Sequence, residues 1–520
     1  MSGISKAKSS IVTIMALASV SRILSAIKDI LIASKLGSGV ATDIYVVAFT
    51  AATFLIGIIG EGITITLIPL LQEVEMKEGN KEKMRFFNNI IHVVLLLVLI
   101  LALAGWIVAP LLIKLFAKGF GGEEFELAVR MLRIGLPIIL FIGLRSIFAG
   151  FLQSGHGFKS GAKSFVYNNL VYIFFLVFFI DRFGLEGLMV ASIAAVFVQV
   201  IIVYRTTRRL GYKYEFILDF KDEYLKKALI LIAPIIIGIS INQVNVTVDN
   251  SIASGLMTGS ISVLTYANNI IGIIMGIFIT SISTVMFPML SEEYIKDNKG
   301  CYREIIDQSI EFILLIIIPA MAILLIFAEP LIRIIFQRGA FDTQATIMTS
   351  QALRYYSIGL IGMAMGLVFT RAYYSIHDTK TPMYYGAIGV IINIALDLIL
   401  VRRLGYKGIA FATSISAILT AILLGVGLKR KMGSLYTNMH LDELVKISIS
   451  TTIMVASMVL TYGFMEDMMV NRLYSLIGMV FSIGIGLGLY LGVNYILGVR
   501  QIKQGIFNIR QSEDCNQQSP

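Results

Sequence analysis

Charged side chains stand inside the long apolar segments of this sequence, and they are its first candidates for chemistry. Near the N-terminus, Arg22, Lys28 and Asp29 interrupt one such segment. A charge at membrane depth is costly, so it usually faces a water-filled cavity or pairs with an opposite charge. Arg22 and Asp29 share one helical face, whereas Lys28 lies away from that face and could reach a different partner. Two interpretations remain open, a cationic cavity wall and structural ion pairs with nearby carboxylates.

The second apolar segment supplies those carboxylates. Asp43 lies near its predicted outer end and Glu61 lies well inside it. A small and polar stripe at helical spacing runs through Thr53, Gly57, Glu61 and Thr64. Such a stripe serves either close helix packing or the lining of a cavity. Because a lone carboxylate facing lipid is costly, Glu61 favours the cavity.

The seventh and eighth apolar segments carry many amides. On the seventh, two adjacent stripes consist of Ser240, Gln243, Thr247 and Asn250, and of Asn242, Asn245 and Asp249. The eighth continues with Thr265, Asn268, Asn269, Gly272 and Gly276. These residues predict a hydrated cavity that hydrogen-bonds a sugar or a headgroup, and the alternative is hydrogen bonding between helices. We assign Gln243, Asp249, Asn250, Asn268 and Asn269 to the predicted binding site.

Three ionisable residues lie in other segments. Arg145 is roughly 12 Å from the predicted cytoplasmic end of its segment, which exceeds comfortable snorkelling, so it is predicted to be a cavity cation. Arg371 lies near the cytoplasmic end of the tenth segment, where we expect it to snorkel or bind a headgroup at a gating position. Asp397 has no obvious partner in the sequence, and a proton- or sodium-binding carboxylate is one hypothesis.

The sequence shows no residue pattern that is typical of an enzyme. The two cysteines and four histidines are scattered, which predicts no metal site, and no catalytic cluster stands out. Without a Walker A motif, ATP is not expected to be the direct energy source. We therefore predict a protein that is not an enzyme and has no cofactor, driven by membrane potential or by coupling to Na⁺ or H⁺, between which the sequence does not decide.

Composition sets the elements that must position these side chains. The chain has 520 residues, 57% hydrophobic and 15% charged, whereas soluble domains are about 25% charged. So little charge cannot cover the surface of a soluble protein of this length, so we predict an all-α polytopic membrane protein. The net charge of +10 then reflects Lys and Arg in cytoplasmic loops, not a nucleic-acid partner. The basic N-terminus lacks a cleavage pattern and predicts a retained first helix.

A helix needs about 20 apolar residues to cross a bilayer, and about 14 segments qualify. Their approximate limits are 11–34, 41–71, 88–117, 127–152, 164–181, 187–204, 228–254, 261–290, 306–336, 347–374, 383–401, 407–428, 447–464 and 473–497. Most loop Lys and Arg residues lie on the side that carries both termini. The chain is therefore predicted to be a multi-pass protein of the bacterial cytoplasmic membrane with cytoplasmic N- and C-termini.

An internal repeat organises these segments. At an offset of 219 to 221 residues the first half matches the second, with pairs such as Ile32-Ala33-Ser34 and Ile252-Ala253-Ser254, Pro69 and Pro288, and Leu132-Arg133 and Leu353-Arg354. Six segments per repeat give both repeats the same orientation, an architecture of transporters whose site lies between the halves. The predicted parts are an N-lobe (1–209), a cytoplasmic amphipathic linker (210–227), a C-lobe (228–430), two extra helices (431–500) and a cytoplasmic tail (501–520).

Several short runs resemble the MurJ (MviN) family of lipid II flippases, within the multidrug/oligosaccharidyl-lipid/polysaccharide exporter superfamily. They are Ser21-Arg22-Ile23-Leu24, Lys28-Asp29, Ala41-Thr42-Asp43, Glu61-Gly62, and the stretches 248–256, 265–270, 287–293, 336–346 and 373–382. The resemblance covers nearly the whole chain. It implies two six-helix lobes around a cationic cavity, with a groove for a polyprenyl tail beside the two extra helices. It also implies cavity roles for Arg22, Lys28, Asp29, Asp43 and Glu61.

The sequence departs from the family pattern at several cations. Lys28 stands where the family usually has arginine, which keeps the charge but loses the bidentate fork. Family arginines fall here at about Ile56 or Gly57, at Asn269 and at Asn250, and an acidic neighbour falls at Asn268. The predicted cavity is therefore less cationic than is typical, and Arg145 and Lys28 are candidates to compensate.

The resemblance implies a flippase that moves undecaprenyl-diphosphate-linked peptidoglycan precursor from the inner to the outer leaflet by alternating access. Its expected partners are lipid II and membrane lipids, with no nucleic acid and a monomeric chain. The alternatives are a flippase for another polyprenyl-diphosphate-linked oligosaccharide and an ion-coupled drug antiporter, the latter hinted at by Asp249 and Asp397.

Overall fold

The computed structural model describes residues 2–155, 158–433, 441–466 and 472–503, and these are helical without a strand. In chain order the helices are α1 (Ser2–Leu36), α2 (Val40–Phe116), α3 (Gly122–Gly135), α4 (Ile138–Ser154), α5 (Phe158–Phe178), α6 (Ile180–Arg209), α7 (Glu223–Ala253), α8 (Ser260–Ile274), a π-helical turn (Met275–Ile279), α9 (Thr280–Ile295), α10 (Lys299–Phe336), α11 (Thr343–Ile358), α12 (Leu360–Ser375), α13 (Lys380–Leu404), α14 (Tyr406–Met432), α15 (Leu441–Glu466), α16 (Arg472–Ile496) and α17 (Arg500–Lys503). Most of the predicted tail, residues 504–520, lies outside this description.

The predicted fold class is confirmed, and each predicted span falls on helix within a few residues at its ends. The second and third spans lie on the single element α2, which is interrupted by non-helical backbone at Gly79 (φ 86°, ψ 176°). By length and composition, the described residues contain nine helices able to cross a membrane, or eleven when each bent pair counts as one. The number fourteen therefore stays a prediction.

Two bends occur at equivalent places of the internal repeat. Helices α3 and α4 meet at 40°, and α11 and α12 meet at 44°. The first bend includes Pro137, whose ring cannot continue the hydrogen-bond ladder, and the second lies at Gly359. Matching bends in sequences that match only sparsely indicate that the repeat extends to backbone geometry.

The chain divides into two compact units. The first comprises residues 1–262 and 338–341, and within it α2 packs on α3, α4 and α7 while α5 packs on α1 and α6. The second comprises residues 263–337 and 342–520, with α13 on α14, α12 on α14 and α10 on α11. The first unit thus includes α7, which opens the second repeat in the sequence. The predicted domain boundaries follow the repeat and stay predictions.

Helices α15 and α16 pack on each other and on α10 within the second unit. The buried residues of this core are Leu315, Phe327, Ile334, Ile447, Met454, Met458, Met479, Tyr490 and Val499. The Tyr490 hydroxyl donates to the Leu315 carbonyl at 2.7 Å, which satisfies a polar atom inside an apolar cluster. The opposite faces of these two helices keep large apolar side chains exposed, as lipid contact requires.

The linker after α6 is non-helical and hydrogen-bonded to the middle of α2. Asn89 forms a reciprocal pair with the backbone of Asp219, donating to its carbonyl and accepting from its amide, both at 2.8 Å. The Asn88 amide donates to the Lys213 carbonyl at 3.1 Å, and His92 Nε2 lies 2.9 Å from the Tyr214 hydroxyl. Residues 210–222, called the strap below, are therefore held by α2 along much of their length.

Candidate functional site

One face of α5 gathers the predicted cations of the first unit. Phe165, Asn169 and Tyr172 are spaced by four and three residues, so they share that face. Asn169 Nδ2 donates to the carbonyl of Ser21 at 3.0 Å, which fixes α1 against α5 one residue before Arg22. The two aromatic rings lie on either side of this contact, about 10 Å apart along the helix axis.

Lys28 lies at the Tyr172 end of this face. Its Nζ is 5.3 Å from the centre of the Tyr172 ring and 3.1 Å from Asp29 Oδ1. Of the two interpretations left open by the sequence, this contact matches the structural ion pair, because the lysine stem is long enough to bend back to its neighbour. Both side chains are about one-fifth exposed (23% and 15%), so the pair stays accessible to water.

Arg145 lies at the other end, with its guanidinium carbon 5.4 Å from the centre of the Phe165 ring. Among the described residues, no carboxylate lies within 4.0 Å of this guanidinium. Arg22 is half-buried on α1 and directly follows Ser21, the residue that Asn169 contacts. The structure thus brings Lys28 and Arg145 against two rings of one α5 face, and Arg145 keeps its hydrogen-bond donors available for an anion.

Asp43 has a different environment from these cations. Its carboxylate is 5% exposed, and it accepts hydrogen bonds from the backbone amides of Gly259 at 2.8 Å and Ser262 at 2.7 Å. These amides lie at the start of α8, where four N–H groups lack partners within the helix. The structure therefore places Asp43 as a long-range cap of α8, and both of its oxygens are already occupied.

Two close contacts between loops accompany this cap. The Ser34 carbonyl accepts from the amide of Ala340 at 2.8 Å, and the amide of Gly119 donates to Ser254 Oγ at 2.9 Å. Corresponding positions of the two repeats form these contacts, since Ser34 corresponds to Ser254, and Ala340 directly follows Gly339, which corresponds to Gly119. The repeat is therefore expressed as two reciprocal contacts at one end of the first unit.

Glu61 and Gln243 belong to the surface between α2 and α7. A side chain at Gly57 would come within 3.9 Å of Gln243 Nε2, so these two positions face each other. Glu61, one turn further along α2, is exposed and has no carboxylate-to-cation contact within the described residues. Thr64 instead donates to the Ser146 carbonyl at 3.1 Å, so the polar stripe serves helix packing at this end.

The remaining polar residues of α7 and α8 are spread over both units. Asn245 donates to Asp249 at 3.4 Å, and Asn250 is half-buried one residue further on. Asn268, exposed, and Asn269, half-buried, belong to the second unit. The π-helical turn Met275–Ile279 follows them, a feature that the sequence analysis missed and that often occurs at functional positions.

Two ionisable residues of the second unit lie away from the amides. Arg371 places its guanidinium 5.9 Å from the centre of the Phe287 ring at the predicted cytoplasmic end. Asp397 is fully buried on α13, one turn after Asn393, whose amide donates to Thr413 Oγ1 of α14 at 3.4 Å. No group of three or more His, Cys, Asp or Glu side chains in the described residues is arranged to hold a metal.

Sequence reasoning missed the aromatic side of this site. Phe165 and Tyr172 have the seven-residue spacing of one helical face, but apolar rings in an apolar segment look like ordinary lipid-facing residues. The nearby cations give them their role, because an aromatic face attracts a cation without neutralising it. Gly119 and Gly339 were missed for a similar reason, since close backbone approach leaves no periodic pattern.

Comparison of the sequence with known proteins identifies relatives among the lipid II flippases. The profile of the family described as "Lipid II flippase MurJ" matches residues 32–480. A "Probable lipid II flippase MurJ" from Vibrio cholerae serotype O1 is 28% identical over 516 residues, covering 94% of this chain and 96% of its own. One from Rickettsia prowazekii is 28% identical over 491 residues, covering 92% and 96%.

Solved structures agree with this fold. The structure titled "Lipid II flippase MurJ, inward closed conformation" superposes with a TM-score of 0.79 at 27% identity, covering 93% of this chain and 98% of that one. An inward-facing multidrug resistance MATE transporter of the MOP superfamily gives a TM-score of 0.65 at 17% identity, which shows a shared fold alone. Because the family profile matches most of the sequence, the chain belongs to the MurJ family of lipid II flippases.

Proposed function

We propose that this chain moves lipid II, a muropeptide linked to undecaprenyl diphosphate, from the inner to the outer leaflet of the cytoplasmic membrane. Membership of a transporter family supports translocation over catalysis. Within the chain, the observation that carries the proposal is Arg145, a cation on a membrane helix with no carboxylate partner among the described residues. A diphosphate is the part of the cargo that such a guanidinium would bind in its planar fork.

The second phosphate would be met by the other cations beside α5. Asp29 partly neutralises the charge of Lys28, so the lysine attracts an anion less strongly than an unpaired lysine would. A bound diphosphate would compete with Asp29 for that ammonium, and Arg22, next to the Ser21–Asn169 contact, would supply a further cation. The amides of Gln243 and Asn250 on α7 would hydrogen-bond the glycan, for which neutral donors and acceptors are suited.

Alternating access would require the contacts around Asp43 to separate. Two carboxylate hydrogen bonds and two reciprocal backbone contacts hold that end of the first unit together. All four have a backbone amide as the donor, and we expect them to break together when that end opens. Rocking of the two repeats is the motion expected of a parallel-repeat transporter.

We further propose that an ion gradient or the membrane potential drives the cycle. Asp397 is the strongest candidate for an ion-binding carboxylate because it is fully buried beside the Asn393–Thr413 hydrogen bond. Buried ionisable residues in membrane helices commonly mark ion pathways. Asp397→Asn should then remove the dependence of flipping on a sodium or proton gradient. Unchanged dependence on both gradients would exclude Asp397 from coupling.

The polyprenyl tail would lie against the two extra helices. Their outward side chains include Leu460, 73% exposed, and Phe464, 86% exposed, on α15. We also propose a monomer in the cytoplasmic membrane with both termini in the cytoplasm. Fusions at the C-terminus test that orientation, because fluorescent protein folds in the cytoplasm whereas alkaline phosphatase becomes active only outside it.

Complementation tests the proposed cargo directly. The gene should restore growth of a bacterium depleted of its lipid II flippase and should restore lipid II in the outer leaflet, measured by its accessibility to an impermeant probe. Arg145→Glu should abolish both at a normal protein level, because it replaces the phosphate-binding cation by a like charge. Arg182→Glu is the matched control, since Arg182 is exposed at the start of α6, away from this site.

The outcomes separate the alternatives. Failure of the unmodified gene to deliver lipid II would favour another polyprenyl-diphosphate-linked oligosaccharide as cargo. Full delivery by Arg145→Glu would remove Arg145 from the site while leaving the family assignment intact. Export of drugs without lipid II delivery would instead favour an ion-coupled antiporter.

A further inference from the structure

A cleft unrelated to the α5 cations opens on the side of the first unit between α2 and α3. Its volume is about 730 Å³. Its lining includes Trp106, Pro110, Phe125, Glu126, Arg130 and Arg133. Apolar rings and charged side chains occur in it together, which is the composition of a site at the boundary between lipid tails and headgroups.

Arg133 is the cation at the centre of this cleft. Its guanidinium carbon lies 4.7 Å from the centre of the Trp106 ring, and its Nε donates to the Trp106 carbonyl at 3.3 Å. No carboxylate within the described part of the chain lies within 4.0 Å of it. The stacking and the hydrogen bond fix the guanidinium plane, while the terminal Nη groups keep their donors for a ligand.

The neighbouring charges are arranged differently. Arg130 pairs with Glu186 at 2.9 Å, so its charge is already compensated. Lys114 lies 5.9 Å from the centre of the Phe125 ring at the margin of the cleft, and Glu126 is exposed one turn before Arg130. The charged groups at the cleft are thus three cations and two carboxylates, namely Lys114, Arg130, Arg133, Glu126 and Glu186. Their net charge of one positive unit suits an anionic headgroup.

An apolar path leads to the cleft along α2. Leu99, Leu103 and Ile107 follow one another at four-residue intervals on one face and are 45%, 60% and 71% exposed. Trp106 adjoins this face and is itself 54% exposed. An acyl chain lying along these residues would place its polar headgroup at Arg133. A phospholipid has this arrangement of an apolar chain and a charged end.

We propose that this cleft binds an anionic glycerophospholipid, with its phosphate on the Arg133 guanidinium and one acyl chain along Leu103 and Ile107. The site is separate from the cargo site and does not depend on which lipid-linked glycan is moved. Its ligand is a membrane lipid and not free phosphate, because the apolar path would otherwise be left unoccupied beside the charged end.

The chain carries its own reporter for this site, since Trp106 is its only tryptophan. The full-length protein is reconstituted in vesicles with increasing fractions of brominated phosphatidylglycerol or brominated phosphatidylcholine, and quenching of Trp106 fluorescence is measured. We expect phosphatidylglycerol to quench with a relative binding constant about fivefold higher, the gain expected from one basic residue facing an anionic lipid. Equal quenching by the two lipids would overturn the proposal, because it is the result for non-selective annular lipid.

Three variants identify the residue responsible. Arg133→Gln should abolish the preference for phosphatidylglycerol, whereas Arg133→Lys should keep most of it because the charge remains. Arg209→Gln is the control, because Arg209 is exposed at the end of α6 and does not line the cleft, and this variant should retain the preference. If Arg133→Gln keeps the preference while its thermal unfolding matches that of the unmodified protein, the assignment of the phosphate to Arg133 is wrong.

Discussion

The carboxylate of Asp43 accepts a hydrogen bond from the amide of Ser262 at 2.7 Å, across 219 positions of the chain. That separation lies within the 219 to 221 residues by which the two repeats are offset, so the contact joins closely corresponding parts of the repeats. With the Gly259 amide as a second donor, the carboxylate satisfies the free N–H groups at the start of α8. The family resemblance implies a cavity role for Asp43, whereas the geometry of its carboxylate here is that of a helix cap.

Asp43→Asn should therefore lower stability more than it changes cargo affinity. The amide keeps one acceptor oxygen but turns an NH₂ group toward a backbone donor, which costs about 1–3 kcal/mol for the unsatisfied amide. Thermal unfolding in detergent measures this loss. Glu61→Gln serves as the control because Glu61 is exposed and the substitution leaves no buried donor without an acceptor. Equal melting temperatures for both variants would contradict the capping role.

Gly119 and Gly339 permit the reciprocal backbone contacts. A Cβ atom at Gly119 would lie 2.2 Å from the Ser254 carbonyl oxygen, and one at Gly339 would lie 2.2 Å from the Ser34 carbonyl oxygen. We expect either alanine variant to open this end of the unit. An impermeant maleimide should then label a cysteine introduced at Ser34 several times faster in the variants.

Gly39 provides the matched control for that experiment. A Cβ atom there meets no heavy atom within 4 Å, and its φ of −150° is open to any residue. Gly39→Ala should leave the labelling rate at Ser34 unchanged. Fast labelling in all three variants would show that any substitution in these loops opens the unit, and would contradict the specific role of close approach.

Much of this molecule follows from its sequence, and the exceptions have physical causes. The helices follow from the length of the apolar segments, and the repeat follows from the constant spacing between matching residues. The attention to Arg22 and Lys28 follows from the cost of placing a charge at membrane depth. The sequence left the partner of Lys28 open, because helical position fixes where a side chain begins but not where a flexible four-carbon stem ends. Phe165 and Tyr172 were not predicted because aromatic residues acquire a binding role only from the neighbours that the fold supplies.

Arg22→Ala and Lys28→Ala should each abolish complementation with normal protein levels. Lys28→Ala also removes the partner of Asp29 and leaves a carboxylate near the diphosphate site, so its loss should be reversed in part by a second change, Asp29→Asn. Lys28→Arg should retain function because the charge remains and gains a bidentate fork. Outer-leaflet lipid II is the measurement. Full activity of both alanine variants would assign Arg22 and Lys28 to structure.

The strap should detach from α2 in Asn89→Ala. That substitution removes the two hydrogen bonds to the backbone of Asp219, each contributing about 0.5–1.5 kcal/mol. Limited proteolysis between residues 210 and 222 should become several times faster. Lys213→Ala should leave the rate unchanged because only the Lys213 carbonyl is bonded to Asn88. Comparable cleavage of both variants would contradict the anchoring role of Asn89.

Asp378, in the loop between α12 and α13, should make stability depend on pH. Burial raises the pKa of this carboxyl, but hydrogen bonds from Lys431 and from the Thr381 side chain and amide outweigh burial and lower its pKa to about 2 from 3.8. A depressed folded-state pKa stabilises the protein above the unfolded pKa, and this contribution is lost as pH falls from about 4 toward 2. The unmodified protein should therefore melt at a higher temperature than Asp378→Asn at pH 6, and the difference should shrink as pH approaches 2. A difference that stays constant over this range would show that the charge of Asp378 does not supply the stabilisation.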